Sequence, residues 1–287
     1  MIIAIASGKG GTGKTTLSVA LSSYISSKGV PVNLFDCDVD EPNVNLFIQA
    51  DISVKETVYV PVPRVYKESC NGCGECEKIC MFNAIVLIKG EPLVFPDLCH
   101  SCGGCMLVCP EKAIAETDKE IGTTEEGYID NIQYVGGILR VREAITPPLI
   151  KAVKKHIMPD SINIIDAPPG TSCPVIESVQ GCNYLVLVTE PTPFGLNDLV
   201  LAVNMARELG IPFGIVINRA DIGDDRVVKY CNDEHIHIIS HIPDSREIAE
   251  RYSRGEFADF FIQNYPDVLE KILESAGIRT LETWRTQ

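Results

Sequence analysis

Short apolar runs recur along the chain, and each ends at or near an aspartate, asparagine, glycine or proline. They cover residues 2–6, 32–35, 162–165, 184–188, 213–217 and 236–242. Several lead into stretches with helical periodicity, of which residues 17–25 are the first. Such runs are typical of strands buried on both faces, so the pattern predicts an α/β fold with a doubly wound, mostly parallel sheet. Ligands of these sheets bind beyond the carboxyl ends of the strands.

The first apolar run leads directly into a glycine-rich loop. Its residues are Gly8, Lys9, Gly10, Gly11, Thr12, Gly13, Lys14, Thr15 and Thr16. Residues 8–15 satisfy G-x-x-x-x-G-K-[ST] between a predicted strand and a predicted helix, which is the context of a phosphate-binding loop. There the backbone N–H groups would surround the phosphates, Lys14 would reach the β- and γ-phosphates, and Thr15 would ligate Mg²⁺. A plain glycine turn between a strand and a helix is the alternative.

Polar residues also follow three later runs, where a nucleotide would be contacted. They are Asp36 and Asp38, Asp166 and Gly170, and Asn218 and Arg219. An aspartate after a strand can also serve only as a helix cap. The segment Asn218-Arg219-Ala220-Asp221 resembles the N-K-x-D guanine-reading motif with arginine in place of lysine, which keeps GTP open beside ATP.

Eight of the 12 cysteines form two copies of C-x2-C-x2-C-x3-C. The first copy is Cys70, Cys73, Cys76 and Cys80, and the second, offset by 29 residues, is Cys99, Cys102, Cys105 and Cys109. Three cysteines at this spacing can supply three corners of one [4Fe–4S] cubane, and the fourth ligand must come from elsewhere. Two zinc sites or a disulfide framework are the alternatives, although zinc sites usually pair separated C-x-x-C knuckles.

Residues 62–116 therefore resemble a two-cluster bacterial ferredoxin. In that arrangement the last cysteine of each copy ligates the other cluster. The resemblance implies one cluster on Cys70, Cys73, Cys76 and Cys109, and a second on Cys99, Cys102, Cys105 and Cys80. Met81 departs from the motif, because it stands where Pro110 stands in the second copy.

The loop with its additional Lys9 resembles the deviant Walker A loop of the MinD, ParA, Mrp and nitrogenase-iron-protein ATPases. The resemblance implies a Mg²⁺-dependent ATPase in which Lys9 reaches across a nucleotide-sandwich dimer. It also implies that Asp38 orients the attacking water, and that Asp166 holds Mg²⁺ through water while the Gly170 N–H senses the γ-phosphate. Asn218 would contact adenine, which favours ATP.

Taken whole, the chain resembles a MinD-superfamily P-loop ATPase with an inserted ferredoxin domain. This divides it into ATPase residues 1–61, ferredoxin residues 62–116 and ATPase residues 117–287. The implied function is a homodimer, promoted by ATP, that couples ATP hydrolysis to electron transfer to a redox partner protein. The alternatives are an Mrp-like carrier that delivers clusters to an apoprotein, and a localisation ATPase that retains a redox sensor.

Composition and the remaining cysteines limit this picture further. A formal charge of −14 argues against nucleic acid as a partner, and no apolar run approaches the roughly 20 residues of a membrane span. Many cysteines without a signal peptide predict a cytoplasmic protein.

Cys37, Cys182 and Cys231 are expected in the core. Cys173 follows Asp166 by seven residues, the spacing of the bridging cluster ligand in the nitrogenase iron protein, although a structural role is also open.

Three histidines near the last apolar run need separate consideration. They are His235, His237 and His241. Strand alternation would place His235 and His237 on one face, which fits either a metal site or an exposed strand face.

Overall fold

The computed structural model describes residues 1–284. Its strands are β1 (Ile2–Ser7), β2 (Val32–Asp36), β3 (Asp51–Val65), β4 (Ile85–Ile88), β5 (Glu91–Val94), β6 (Ile114–Ile129), β7 (Ile132–Leu139), β8 (Ile162–Pro169), β9 (Tyr184–Thr189), β10 (Phe213–Asn218) and β11 (Ile238–Ile242). Its helices are α1 (Lys14–Ser27), α2 (Val44–Ile48), α3 (Glu75–Ile79), α4 (Gly104–Val108), α5 (Pro147–Lys154), α6 (Cys173–Val179), α7 (Pro193–Glu208), α8 (Arg226–Asp233), α9 (Arg246–Tyr252), α10 (Phe257–Asn264) and α11 (Pro266–Ser275).

Within residues 1–284, nine of these strands form one sheet in the order β11-β10-β9-β1-β8-β2-β7-β6-β3. The pairs from β11 to β7 are parallel, whereas β6 and β3 extend the sheet in antiparallel pairing. The mostly parallel sheet that the apolar runs predict is therefore confirmed. β1 lies near its middle, so the loop after β1 opens at the carboxyl edge where such sheets bind ligands.

Helices cover both faces of the sheet. One face carries α1, α10 and α11, whose side chains pack into a core with Ile3, Leu34 and Ile164. The other face carries α5, α6 and α7 over a second core that includes Phe35 and Ile165. Neighbouring residues of one strand thus enter opposite cores, which explains why these strands are continuous apolar runs.

The six predicted strands are present, but the other three strands of the nine-stranded sheet, and the hairpin strands β4 and β5, were not predicted. β3 is largely exposed and β6 mixes buried with exposed positions, so neither contains a long continuous apolar run. β7 contains the pair Gly136 and Gly137, which weakens a strand signal. Gly137 is required there, because a Cβ would lie 2.6 Å from Val39 Cγ1.

Residues 66–113 connect β3 to β6 and form a small unit with its own apolar cluster around Cys76, Ile85 and Ile114. The 29-residue repeat of the sequence is also a repeat of structure. Each copy has a 3-10 turn before its first cysteine, a left-handed glycine and a short helix, so α3 and α4 correspond. A hairpin of β4 and β5 lies between the two copies.

The last apolar run begins as a strand two residues later than predicted. β11 starts at Ile238, and His235 precedes it in a left-handed turn with φ 55°. The expectation that His235 and His237 share a strand face is therefore wrong. His237 instead lies 3.4 Å from the Ser275 hydroxyl through its Nε2 atom.

No helix within residues 1–284 is both long enough and apolar enough to cross a membrane.

Candidate nucleotide site and cysteine-lined cavities

A cleft of about 340 Å³ opens at the carboxyl edge of the sheet, above the loop between β1 and α1. Of the predicted site residues, it is lined by Gly10, Gly11, Gly13, Lys14, Thr15, Thr16, Asp38, Asn218 and Arg219. Gly13 has a φ of 97°, a left-handed conformation that favours glycine, and α1 begins at the next residue. Gly8, Lys9, Thr12 and Gly170 lie outside this lining.

The Asp166 carboxylate is fully buried on β8, next to the cleft-lining Thr15, and is not itself part of the cleft lining. Thr15 Oγ1 donates a hydrogen bond to it at 2.7 Å, and Ser18 Oγ donates another at 2.8 Å. Burial raises the pKa of Asp166, although both hydroxyl donors and the nearby Lys14 favour its charged form. Burial also lowers the pKa of Lys14 against the opposing charges of Asp166 and Asp38. Thr15 and Asp166 are thus together, as a shared Mg²⁺ site requires.

Asp36 and Asp38 have different environments although they are two residues apart. The Asp36 carboxylate is fully buried and accepts hydrogen bonds from the N–H groups of Asp38, Asn43 and Val44. Asp36 therefore shapes the loop after β2. Asp38 lines the cleft, and burial raises its pKa to about 6 against the lowering effect of Lys14. Of the two, Asp38 is the carboxylate that can face a nucleotide.

The eight repeat cysteines surround two cavities. The distal cavity is lined by Cys70, Cys73, Cys76 and Cys109, and the proximal cavity by Cys80, Cys99, Cys102 and Cys105. The last cysteine of each copy thus lies with the first three of the other copy. The proximal cavity is nearer the ATPase body, because Cys99 packs against the core under α5, α6 and α7.

The chemistry of these cavities fits a cluster better than one ion. Backbone N–H groups of Ala84, Ser101 and Ala113 donate to the sulfurs of Cys80, Cys99 and Cys109 at 3.3, 3.4 and 3.3 Å. Such bonds stabilise negative charge on cluster thiolates. Within residues 1–284, no three His, Cys, Asp or Glu side chains are grouped as ligands of a single metal ion. Each cavity therefore offers four separated sulfurs around a central space.

Comparison with known proteins decides the family of this fold. The family model described as the CobQ/CobB/MinD/ParA nucleotide binding domain matches residues 3–258. The chain belongs to this family. An uncharacterised protein of Methanocaldococcus jannaschii is 32% identical to it over 89% of this chain and 90% of its own length.

Two further relatives of this MinD/ParA-family chain have descriptive names. An iron–sulfur cluster carrier protein of Aquifex aeolicus is 27% identical to it over 89% of this chain and 60% of its own length. The solved septum site-determining protein MinD of Pyrococcus horikoshii, complexed with Mg-ADP, aligns with a TM-score of 0.58 at 19% identity. That alignment covers 97% of this chain and 98% of the MinD chain. The fold is therefore MinD-like.

Three of the predicted site residues have partners within their own chain, and these are Lys9, Arg219 and Gly170. Lys9 Nζ lies 2.6 Å from Glu190 Oε2, and Arg219 Nη1 lies 2.7 Å from Glu190 Oε1. The Gly170 N–H, predicted to sense a γ-phosphate, donates instead to the Ser7 carbonyl at 2.9 Å. Contact of Gly170 or Lys9 with a phosphate would therefore require these bonds to break.

Asn218 supports the phosphate loop as well as lining the cleft. Its Nδ2 atom donates to the Thr12 carbonyl at 2.8 Å, and its Oδ1 atom accepts from the Arg219 N–H at 2.9 Å. A Cβ on Gly13 would lie 2.6 Å from this Nδ2 atom, so the glycine also makes room for the contact.

Sequence reasoning missed Ser18 and Glu190. Ser18 carried a detectable signal, because it lies one turn after Thr15 on the same face of α1. Glu190 comes two residues after the predicted strand 184–188 and directly after β9, so its position at the carboxyl edge was also readable. Its pairing with Lys9 and Arg219 was not readable from local pattern.

The other cysteines divide into buried and exposed positions. Cys37, Cys182 and Cys231 are buried, as the sequence predicted. Cys173 is exposed at the start of α6 and lines neither cysteine cavity.

Proposed function

We propose that this chain is an ATP-hydrolysing iron–sulfur protein in which nucleotide binding alters electron transfer through two [4Fe–4S] clusters. The observation that carries the proposal is the arrangement of four cysteines around each of two cavities. The segment that holds them is joined to the nucleotide-binding sheet by two of that sheet's own strands, β3 and β6. The proposed inserted ferredoxin domain covers residues 62–116, between ATPase residues 1–61 and 117–287.

At the nucleotide site, the proposed roles follow from position. The N–H groups of the glycine loop would surround the phosphates, and Lys14 would neutralise the β- and γ-phosphates. Thr15 and Asp166, already 2.7 Å apart, would hold Mg²⁺ directly and through water. Asp38 would orient the attacking water. Asn218 and Arg219 lie where the base would bind, and we favour ATP over GTP.

Lys9 would act across a homodimer that forms when ATP binds. In the single chain it is held by Glu190, beside Arg219. On dimerisation, Lys9 would have to leave this ion pair and contact the phosphates bound to the second copy. The Gly170 N–H would likewise exchange Ser7 for the γ-phosphate. These exchanges give the two discrete arrangements that a nucleotide switch needs.

At the cysteine cavities, Cys70, Cys73, Cys76 and Cys109 would hold one cluster, and Cys99, Cys102, Cys105 and Cys80 the other. Bound clusters would supply one-electron transfer at these positions. The chain's own contribution includes the backbone N–H donors to the sulfurs of Cys80, Cys99 and Cys109, since hydrogen bonds to the sulfurs tune a bound cluster.

Cluster delivery to an apoprotein is the second candidate function. The 27% identity to an iron–sulfur cluster carrier protein over 89% of this chain favours it. Four cysteines at each cavity favour retention of the cluster, because a complete ligand set offers no vacant coordination site to an acceptor. We therefore place electron transfer first, with a redox partner protein as the acceptor.

One experiment separates these two functions. An anaerobic redox titration read by EPR would be made with and without Mg·ATP, beside an assay of cluster transfer to an apo-ferredoxin. If ATP drives electron transfer, it must bind the oxidised and reduced protein unequally, so the cluster potentials must move. A coupling of about 1–3 kcal/mol corresponds to about 40–130 mV for a one-electron cluster.

The contrary outcomes are equally distinct. Potentials that do not move, while ATP accelerates cluster loss to the apo-ferredoxin, would support the carrier. If ATP changes neither the cluster potentials nor the rate of cluster transfer, the remaining function would be a localisation ATPase that retains a redox sensor.

The pH dependence of ATP hydrolysis should show whether the Asp38 carboxylate must be charged. Because burial raises its pKa to about 6, a carboxylate that must be charged to orient water is protonated as the pH falls below that value. We expect kcat/KM for Mg·ATP, measured with excess Mg²⁺ from about pH 5 to 8, to fall about tenfold per unit below about pH 6. The control variant is Asp233→Asn, because Asp233 is exposed at the end of α8 and is not among the charges that shift the pKa of Asp38. It should keep the same profile. A profile that stays flat down to about pH 5 would remove Asp38 from this role.

A further inference from the structure

Four charged residues join the proximal cavity to the ATPase body, and we call them the Lys119 link. Lys119 lies on β6, and its Nζ atom is 2.7 Å from Glu143 Oε2 and 3.0 Å from Asp97 Oδ1. Arg140 Nη2 lies 3.4 Å from the same Asp97 oxygen. The side chains of Lys119 and Glu143 are only 8% and 1% exposed, so their charges are shielded from water. Charges in such a setting interact more strongly than charges on the surface.

The Lys119 link touches the segment that carries the first cysteine of the second copy. Lys119 Nζ donates to the Pro96 carbonyl at 3.2 Å, and the Cys99 N–H donates to the same carbonyl at 3.2 Å. Asp97 follows directly in that segment. One ammonium group therefore holds the backbone and a side chain immediately before Cys99.

The residue before Arg140 connects the link to the loop that follows Asp38. The Leu139 N–H donates to the Val39 carbonyl at 3.0 Å, and Gly137 leaves the space that the Val39 side chain fills. Arg140 is the next residue, and its N–H donates to the Ile121 carbonyl at 2.9 Å. Glu143 is tied back to this turn, because its N–H donates to the Arg140 carbonyl at 2.9 Å. A shift of the loop after Asp38 would thus be felt at Arg140 and Glu143.

We propose that Lys119, through Glu143, is the positioning residue that makes the proximal cavity, and not the distal one, respond to the nucleotide. This inference rests on the proposed function, since it assumes a cluster at each cavity. Movement at residues 139–143 would change the distance between the Glu143 carboxylate and the Lys119 ammonium. The ammonium would then hold the Pro96–Leu98 turn differently and lie at a different distance from the sulfur of Cys99.

The asymmetry between the cavities follows from the contacts. No member of the Lys119 link lines either cavity, but the link reaches Cys99 of the proximal cavity through the Pro96 carbonyl. The contacts given above for the link do not reach the distal cavity, whose walls come from residues such as Val65, Asn71 and Leu87. Two distant sites become coupled when the packed residues between them can adopt two arrangements.

The test is a redox titration of the cluster-loaded protein with and without a non-hydrolysable ATP analogue and Mg²⁺. The proximal EPR signal is the one lost in Cys80→Ser. In the unsubstituted protein we expect the analogue to bind about tenfold more tightly to one redox state of the proximal cluster. This preference shifts the reduction potential of that cluster by about 59 mV. The distal signal should stay in place. In Lys119→Gln the proximal preference should fall below about threefold with both clusters retained.

The matched control is Lys55→Gln. Lys55 also lies on the antiparallel extension of the sheet and pairs with Glu125, so the same charge is lost away from the cavities. It should keep the full nucleotide-dependent shift. If Lys119→Gln loses its clusters, Asp97→Asn provides the test instead, because it removes the exposed member of the link while the buried pair of Lys119 and Glu143 is retained.

The outcomes separate this inference from the proposed function. A full nucleotide-dependent shift of the proximal potential in Lys119→Gln would overturn the proposed role of the Lys119 link and leave nucleotide-coupled electron transfer in place. Where Lys119→Gln has lost its clusters, a full shift in Asp97→Asn has the same meaning. An unsubstituted protein that holds both clusters but shows no shift would overturn both. Equal shifts of the two signals would also overturn this inference, because the coupling would then not be confined to the proximal cavity.

Discussion

Replacing Lys14 with alanine should abolish ATP hydrolysis. Lys14 is nearly buried at the start of α1, lines the cleft, and lies between the charges of Asp38 and Asp166. A preorganised cation at a transferring phosphoryl group contributes far more than an exposed one, so we expect kcat to fall at least about a hundredfold. The measurement is the steady-state release of phosphate from Mg·ATP, with nucleotide affinity measured separately.

Two variants make the Lys14 result specific. Lys229→Ala removes an exposed lysine on α8 that pairs with Asp225 and should keep the full rate. Lys9→Ala should lose hydrolysis while it keeps part of its nucleotide affinity, since Lys9 is proposed to act on the phosphates of the second copy. Hydrolysis by Lys14→Ala at the unsubstituted rate would show that this cleft is not the hydrolytic site.

Replacing Cys80 with serine should remove the proximal cluster and spare the distal one. Anaerobically purified protein is expected to contain about eight iron and eight acid-labile sulfide per chain, from two cubanes. Because Cys80 lines the cavity of Cys99, Cys102 and Cys105, its loss should leave about four iron. Iron and sulfide analysis gives the amount, and EPR gives the surviving signal.

The reciprocal variant and the control come from the same chain. Cys109→Ser should remove the distal cluster, since Cys109 lines the cavity of Cys70, Cys73 and Cys76. Cys173→Ser should keep all the iron, because this exposed cysteine lines neither cavity. If Cys80→Ser and Cys109→Ser lose the same signal, or if zinc replaces iron in the unsubstituted protein, the ligand assignment is wrong.

Local patterns were sufficient for much of the fold and of the nucleotide site. The apolar runs predicted β1, β2, β9, β10 and β11 within two residues at each end, and they predicted the start of β8, which continues four residues beyond its predicted end. The glycine loop predicted the start of α1. These features depend on backbone preferences and burial within a few consecutive residues, which a sequence contains directly. β3 was missed although Val58, Val60 and Val62 alternate with polar or proline residues, because a search for continuous apolar runs overlooks a strand with exposed faces.

The sequence by itself determined the phosphate loop, the strand-end aspartates and the two-copy cysteine repeat, because each depends on spacing along a short segment. Only the tertiary structure decided that Glu190 meets Lys9, 181 residues away, and that Lys119 and Glu143 form a buried pair beside the proximal cavity. Such contacts depend on which strand ends the sheet order brings together and on which charged side chains packing excludes from water. Neither is specified by local spacing, since the order of strands in the sheet differs from their order along the chain.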